Sequence, residues 1–166
     1  IHTVMQQAED ELLIPYNPAA KASAPKVGKS KPDFYEPDTV AAILDAAEQE
    51  PIKWKTMLHL FLITGRRRED ICGLKWEKID FENHIVCIDT SLLYLPKLGI
   101  YESTTKTENT TFLPLPEETM QLLREYRAWY NELRLKNGDR WQDSGFLFVK
   151  NNGAPIHPDS FAGWLR

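Results

Sequence analysis

One stretch of this sequence is apolar on nearly every side of a helix, and it constrains the fold more than any other. It covers residues 52–63, IKWKTMLHLFLI. A helix of this kind belongs in the core of a protein, with the other elements packed around it. Gly65 ends the helix, and a short second helix is predicted over residues 67–74.

The rest of the chain predicts an α+β fold, mainly α-helical, with a small three-stranded antiparallel sheet. Apolar residues recur at helical spacing in several segments, while β-branched and alternating residues mark the strands. Helices are expected over residues 1–14, from Pro37, over 117–136 and from Pro158, and strands over 84–93, 99–103 and 111–115. Residues 145–149 are expected to form a buried extended segment.

Composition limits the class of protein. The 166 residues, 42% hydrophobic and 27% charged, are enough for one domain with its own core. The net charge of −4 argues against a chain that coats nucleic acid through its overall charge, but it allows local basic patches. Cys72 and Cys87 predict two buried thiols in a reducing compartment, and their spacing supports neither a disulfide framework nor a zinc site. No apolar run is long enough to cross a bilayer.

Three consecutive arginines, Arg66, Arg67 and Arg68, follow the apolar stretch. In a helix over residues 67–74, Arg67 would share a face with the apolar positions one and two turns on, at the edge of the buried side. An arginine there requires an anion or a fixed acceptor, and its guanidinium suits phosphate. Arg66 is expected to pair with Asp70, and Arg68 to be solvated. On geometry alone, a surface position is as plausible as an anion-binding one for Arg67, and it is the favoured interpretation for Arg66 and Arg68.

The residues around this cluster, TGRRREDICGLKWEKID, resemble the first conserved box of the tyrosine recombinase (phage integrase) family. The positions that match the box in register are Thr64, Gly65, Arg67, Leu74, Trp76, Ile79 and Asp80. Asp70 stands where the family usually has glutamate. The resemblance implies that Arg67 is the first catalytic arginine, which binds the scissile phosphate, and that Asp70 supports the same site.

The resemblance extends over most of the chain and implies its domain organisation. Residues 1–19 look like the last helix of a core-binding (SAM-like) domain, 20–34 like a basic interdomain linker, and 35–166 like the N-terminal portion of the catalytic domain. The linker lysines are Lys21, Lys26, Lys29 and Lys31, and they are either a solvated connector or contacts to DNA. Lys106 stands at the family's catalytic lysine, although by itself it would be an exposed lysine in a turn.

The second half of the family's active site has no match in this sequence. None of the four histidines is followed three residues later by arginine, so there is no His-x-x-Arg box. All six tyrosines precede the point at which that box is expected, so none is assigned as the nucleophile. Both ends of the sequence also fall inside predicted helices. The chain is therefore expected to be a truncated piece of the catalytic machinery, inactive alone.

For the intact protein, the resemblance implies site-specific DNA recombination in a mobile element or prophage, through a 3′-phosphotyrosyl intermediate. It implies double-stranded DNA and a homotetramer as partners, no metal, no cofactor, no membrane, and a bacterial cytoplasmic, nucleoid-associated location. Two alternatives remain open. One is a non-catalytic DNA-binding or assembly module on the same scaffold. The other is an unrelated α+β domain whose Thr-Gly-x-Arg step is accidental.

Overall fold

The chain divides into two units in this computed structural model, Ile1–Tyr35 and Glu36–Arg166. The structure describes residues 1–23, 25, 34–104 and 110–166. Lys26, Lys29, Lys31 and Lys106 lie outside the described residues. In the described residues, no helix has the length and apolar character that a membrane span requires.

The first unit contains helix α1, His2–Asp10, which is shorter than the predicted helix over residues 1–14. It ends in a Schellman motif, in which the Leu12 amide donates to Glu9 (2.9 Å) and the Leu13 amide to Ala8 (2.8 Å). Leu12 takes the left-handed conformation that the motif requires, with φ 58°. Glycine usually marks such an end, and a leucine in its place gives no signal in the sequence.

The second unit begins with three helices: α2 (Pro37–Ala47), α3 (Ile52–Thr64) and α4 (Arg68–Cys72). Met57 and Leu60 of α3 are fully buried, which confirms the predicted core helix. The helix ends at Gly65, in the left-handed conformation with φ 58°. The prediction that α3 is apolar toward the core on all sides is wrong at its last turn, where Leu62 and Ile63 remain exposed.

Within the described residues, five strands form two sheets rather than the single sheet that was predicted. They are β1 (Ile79–Asp80), β2 (Ile85–Ile88), β3 (Thr90–Leu95), β4 (Gly99–Thr104) and β5 (Thr111–Pro114). The three-stranded antiparallel sheet has the order β1-β2-β5, and β3 pairs with β4 in the second sheet. The strand predicted over residues 84–93 therefore breaks at Asp89, which accepts a hydrogen bond from Lys78 at 2.5 Å. This break directs β3 away from β2 and against α4.

The long helix α5 (Glu117–Asn137) and the short helix α6 (Ser160–Trp164) complete the second unit. Tyr126 of α5 is fully buried beside Trp76, with ring centroids 5.8 Å apart, and its hydroxyl donates to the Leu147 carbonyl at 2.9 Å. The predicted extended segment is confirmed, because Phe146, Leu147, Phe148 and Val149 are all buried. The Leu147 amide donates to the Leu74 carbonyl at 2.7 Å, which fixes the chain after α4.

At Gly73, which directly follows α4, the backbone lies in van der Waals contact with the backbone of β3. A Cβ atom at this position would lie 2.5 Å from the Thr90 carbonyl oxygen and 2.9 Å from the Ser91 Cα, both backbone atoms. Neither atom can move without shifting the strand, so only glycine allows this approach.

We expect Gly73→Ala to lower the free energy of unfolding by about 1–3 kcal/mol, because the added methyl group forces α4 and β3 apart. Urea unfolding followed by circular dichroism measures the change. Gly163→Ala is the control, since a Cβ there meets nothing within 4 Å. Equal free-energy changes in the two variants would contradict the close approach.

Candidate functional site

The three arginines lie in three different environments at the junction between α3 and α4. Arg67 is not part of α4. It is the N-cap residue, with extended backbone angles (φ −66°, ψ 153°), because the helix begins at Arg68. The prediction that Arg67 lies on the inward face of a helix is therefore wrong. An N-cap side chain leaves the helical face, and that of Arg67 is exposed to solvent.

Arg68 is held by two carboxylates, and the prediction that it is solvated is wrong. Its guanidinium donates to Glu69 at 2.8 Å and to Asp159, which directly precedes α6. The hydrogen bond to Glu69 raises the pKa of Arg68, and the same bond is the main reason that the pKa of Glu69 is lowered. The Arg68–Asp159 pair joins residues 91 positions apart, so no local pattern could have indicated it.

Asp70 has a different partner from the one predicted. Among the described residues, neither Arg66 nor Arg67 forms an ion pair with a carboxylate. Asp70 is 8% exposed, and it accepts a hydrogen bond from the Ser91 hydroxyl of β3 at 2.5 Å. The expected pair with Arg66 requires both residues on one helix, whereas Arg66 precedes α4 and donates its amide to Thr64 at 3.3 Å.

Strand β3 and the segment before α6 both contact residues next to Arg67, through Ser91 to Asp70 and through Asp159 to Arg68. The Tyr94 ring of β3 contacts the His157 ring, with centroids 4.4 Å apart. His157 Nδ1 accepts a hydrogen bond from the Asp159 amide at 3.1 Å, at the residue that precedes α6. We call Arg67 together with Asp70, Ser91, Arg68 and Asp159 the arginine corner. Its members come from α4, from β3 and from the residues that directly precede α4 and α6. Arg67 is its exposed cation, and it forms no ion pair with a described carboxylate.

This geometry suits anion binding and not nucleophilic chemistry by the nearby thiol. An exposed guanidinium that has no carboxylate partner can offer paired N–H donors to two oxygens of a phosphate. Burial raises the pKa of Cys72, on α4, to about 12, so the thiol stays protonated near neutral pH. Within the described ranges, no group of three His, Cys, Asp or Glu side chains is placed to hold a metal ion.

The other predicted site residues belong to the first unit or lie outside the described residues. Lys21 is exposed in the first unit, and the other linker lysines lie outside the described residues. Lys106 also lies outside them, in the segment that joins β4 to β5. The structure therefore brings together Arg67 and Asp70 of the predicted residues, along with Arg68, Ser91 and Asp159, which sequence reasoning missed.

A basic groove on α5 was also missed. Arg127 lies 5.5 Å from the ring centroids of both Trp76 and Phe81. Its neighbours on the same helix face have carboxylate partners, Arg124 with Glu117 and Arg134 with Asp143, each at 2.8–2.9 Å. The spacing of the arginines at 124, 127 and 134 is the one signal in the sequence that could have indicated this surface.

Comparison with known proteins matches most of the chain to one protein family. The profile described as "Phage integrase family" matches residues 33–166. A tyrosine recombinase of Thermosipho africanus is 23% identical over 156 residues, which cover 93% of this chain and 46% of that protein. The transposase from transposon Tn916 of Enterococcus faecalis is 31% identical over 111 residues, 64% of this chain and 26% of that protein. The chain thus spans half or less of the curated relatives' length.

Solved structures share the fold at lower identity. The Tn1549 transposon integrase in complex with circular intermediate DNA superposes with a TM-score of 0.69 at 22% identity, over 99% of this chain and 52% of that one. The lambda integrase tetramer bound to a Holliday junction gives a TM-score of 0.61 at 17% identity, over 98% of this chain and 42% of that one. The mixed fold with small antiparallel sheets is therefore shared with these proteins.

We expect the Asp70–Ser91 hydrogen bond to stabilise the arginine corner measurably. In a double-mutant cycle of Asp70→Ala and Ser91→Ala, the coupling in the free energy of unfolding should be about 1–3 kcal/mol, since the carboxylate is nearly buried. Urea unfolding of the two single variants and the double variant gives this coupling. Additive effects of the two substitutions would show that the bond contributes nothing.

Proposed function

Because this chain belongs to the phage integrase family, the tyrosine recombinases, we propose that it is part of a site-specific DNA recombinase from a mobile element or prophage. Residues 1–19 would be the last helix of its core-binding domain, 20–34 the linker, and 35–166 the N-terminal portion of its catalytic domain. The observation that carries the proposal is Arg67. Of the three arginines, it is the one that the family box selects, and it is exposed with no carboxylate partner in the described part of the chain.

In the proposed reaction, Arg67 binds the non-bridging oxygens of the scissile phosphate through its paired N–H donors. Its charge stabilises the negative charge that develops as the phosphorus becomes pentacoordinate. Asp70 supports the site from beneath, because its hydrogen bond to Ser91 holds α4 on β3. Lys106 protonates the leaving 5′ oxygen as the general acid, an assignment that comes from the family position of this lysine.

The attacking tyrosine of this reaction is not assigned to the present chain. A tyrosine of the intact protein attacks the phosphodiester and forms a 3′-phosphotyrosyl link, and the 5′ hydroxyl of another strand reverses the step. Tyr126 is an unsuitable candidate, since burial raises its pKa well above 10 and its hydroxyl is bonded to Leu147. Residues 1–166 also contain no His-x-x-Arg sequence. We therefore propose that these residues alone do not cleave DNA.

The proposed partners follow from the same assignment. The substrate is double-stranded DNA at a recombination site, contacted by the linker lysines Lys21, Lys26, Lys29 and Lys31, and the intact protein acts as a homotetramer. The complexes of Tn1549 integrase with circular intermediate DNA and of the lambda integrase tetramer with a Holliday junction support both expectations. The protein would work at the nucleoid in the bacterial cytoplasm, without a membrane, a metal or another cofactor.

A non-catalytic DNA-binding or assembly module on the same scaffold is the alternative. The residues that follow Arg166 in the gene separate the two proposals. A His-x-x-Arg box with a tyrosine some tens of residues later supports the recombinase, and the absence of both supports the module.

We expect Arg67→Lys in the full-length gene product to lower strand cleavage by about 10²–10³-fold, because lysine keeps the charge but loses the paired donors. The assay detects covalent protein–DNA adducts after incubation with nicked duplexes that tile the DNA flanking the gene. Arg66→Lys is the matched control and should retain cleavage. Unchanged adduct formation by the Arg67 variant would remove this residue from the site.

A purified protein consisting of residues 1–166 should form no covalent adduct on the same duplexes, whereas the full-length protein should form one. The physical reason is that the chain contributes one half of the phosphate-binding site and no assigned nucleophile. An adduct that survives denaturation, mapped by mass spectrometry to one of the six tyrosines, would contradict this prediction.

A further inference from the structure

Two carboxylates bind Arg68, the residue that directly follows the exposed Arg67. Glu69 and Asp159 each bind the Arg68 guanidinium, through Nη2 and Nη1 respectively. The Asp159 side chain is 65% exposed and that of Glu69 is 28% exposed, so both are accessible from solvent. Arg67, one residue earlier, has no ion pair with any described carboxylate.

An exposed arginine next to free carboxylates would pair with them, and an anion from solution would then have to compete. The pKa of Glu69 indicates that this carboxylate is close enough to Arg67 to interact with it. The pKa of Glu69 is lowered first by the hydrogen bond from Arg68, and the charge of Arg67 adds to the same effect. Arg67 is thus within electrostatic reach of Glu69, while the hydrogen bonds of that carboxylate go to Arg68 instead.

We propose that Arg68 is a positioning residue that occupies Glu69 and Asp159 and so keeps Arg67 free to bind an anion. The identification of that anion as a DNA phosphate rests on the proposed function. The occupation of the two carboxylates does not, because it concerns contacts within the chain. Arg68 itself has both Nη atoms engaged and a buried Nε, so it is not the group that meets the phosphate.

A second role for the same contacts is that Arg68 simply ties α4 to the start of α6. The two roles predict opposite results when the acids are removed. If Arg68 is only a tie, neutralising Glu69 and Asp159 weakens the arginine corner further. If Arg68 occupies the acids, neutralising them makes Arg68 unnecessary for anion binding.

The experiment uses the full-length protein and inorganic phosphate as the probe, with binding followed by NMR at the Arg67 Nε–Hε group. We expect Arg68→Leu to weaken phosphate binding about two- to fivefold more than Arg66→Leu, the range that one competing exposed ion pair gives. Arg66→Leu is a matched control, since it removes one positive charge next to Arg67 without releasing an acid. Equal losses in the two variants would overturn the proposal.

The acids are then neutralised as the pair Glu69→Gln and Asp159→Asn. We expect this pair of substitutions to increase phosphate binding more in the Arg68→Leu protein than in the Arg66→Leu protein. In the Arg66→Leu protein, the increase reports only the effect of removing two negative charges. No greater gain would overturn the proposal. Should Arg68→Leu fail to fold, the acid pair is tested with Arg68 present. Undiminished phosphate binding then supports the proposal, and weakened binding supports the tie.

The carboxyl titration of Glu69 gives a readout that is independent of DNA and phosphate. In Arg68→Leu, we expect the pKa of Glu69 to remain lowered, because Arg67 takes over the carboxylate. A return of this pKa to its ordinary value of 4.5 would overturn the proposal. Adduct formation is measured in parallel. If the proposed recombinase function is wrong, the unsubstituted protein forms no adduct. If the proposed role of Arg68 is wrong, the titration and phosphate-binding results contradict it whether or not the protein forms an adduct.

Discussion

The contact between α4 and β3 is the constraint on which the arginine corner depends. At Gly73 the two backbones approach as closely as glycine permits. Between the same two elements, the nearly buried Asp70 carboxylate accepts a hydrogen bond from the Ser91 hydroxyl. A short helix of five residues has little stability of its own, since helix nucleation is costly. The position of Arg67 at its N-cap is therefore set by the strand that packs on the helix.

Charge at this corner is divided among residues that look equivalent along the chain. Arg68 is the structural cation, with Glu69 and Asp159 as its partners. Arg67 is the available cation, and Arg66 is half-buried with its amide on Thr64. A phosphate-binding residue needs a guanidinium whose donors are not already engaged. In the proposed arrangement, Arg68 binds Glu69 and Asp159, and the donors of Arg67 remain available.

Much of the fold could be predicted from the sequence, because apolar periodicity reports which side of an element faces the core. The helix around Met57 and Leu60, its end at Gly65 and the long helix from Glu117 all follow from local pattern. The strand break at Asp89 and the leucine that ends α1 could not be predicted. The break at Asp89 depends on contacts with residues outside the strand, such as Lys78, and the leucine that ends α1 carries no turn signal.

By itself, the sequence determined the family, because the residues of the box occur at the family's spacing, and the same spacing made Arg67 the candidate among the three arginines. It also determined the core helices, through hydrophobic pattern. Only the tertiary structure decided that Arg67 is exposed at an N-cap, that Asp70 binds Ser91, and that Arg68 binds an acid 91 residues away. The physical reason is that ion pairs and hydrogen bonds are short-ranged in space, whereas a linear pattern records only separation along the chain.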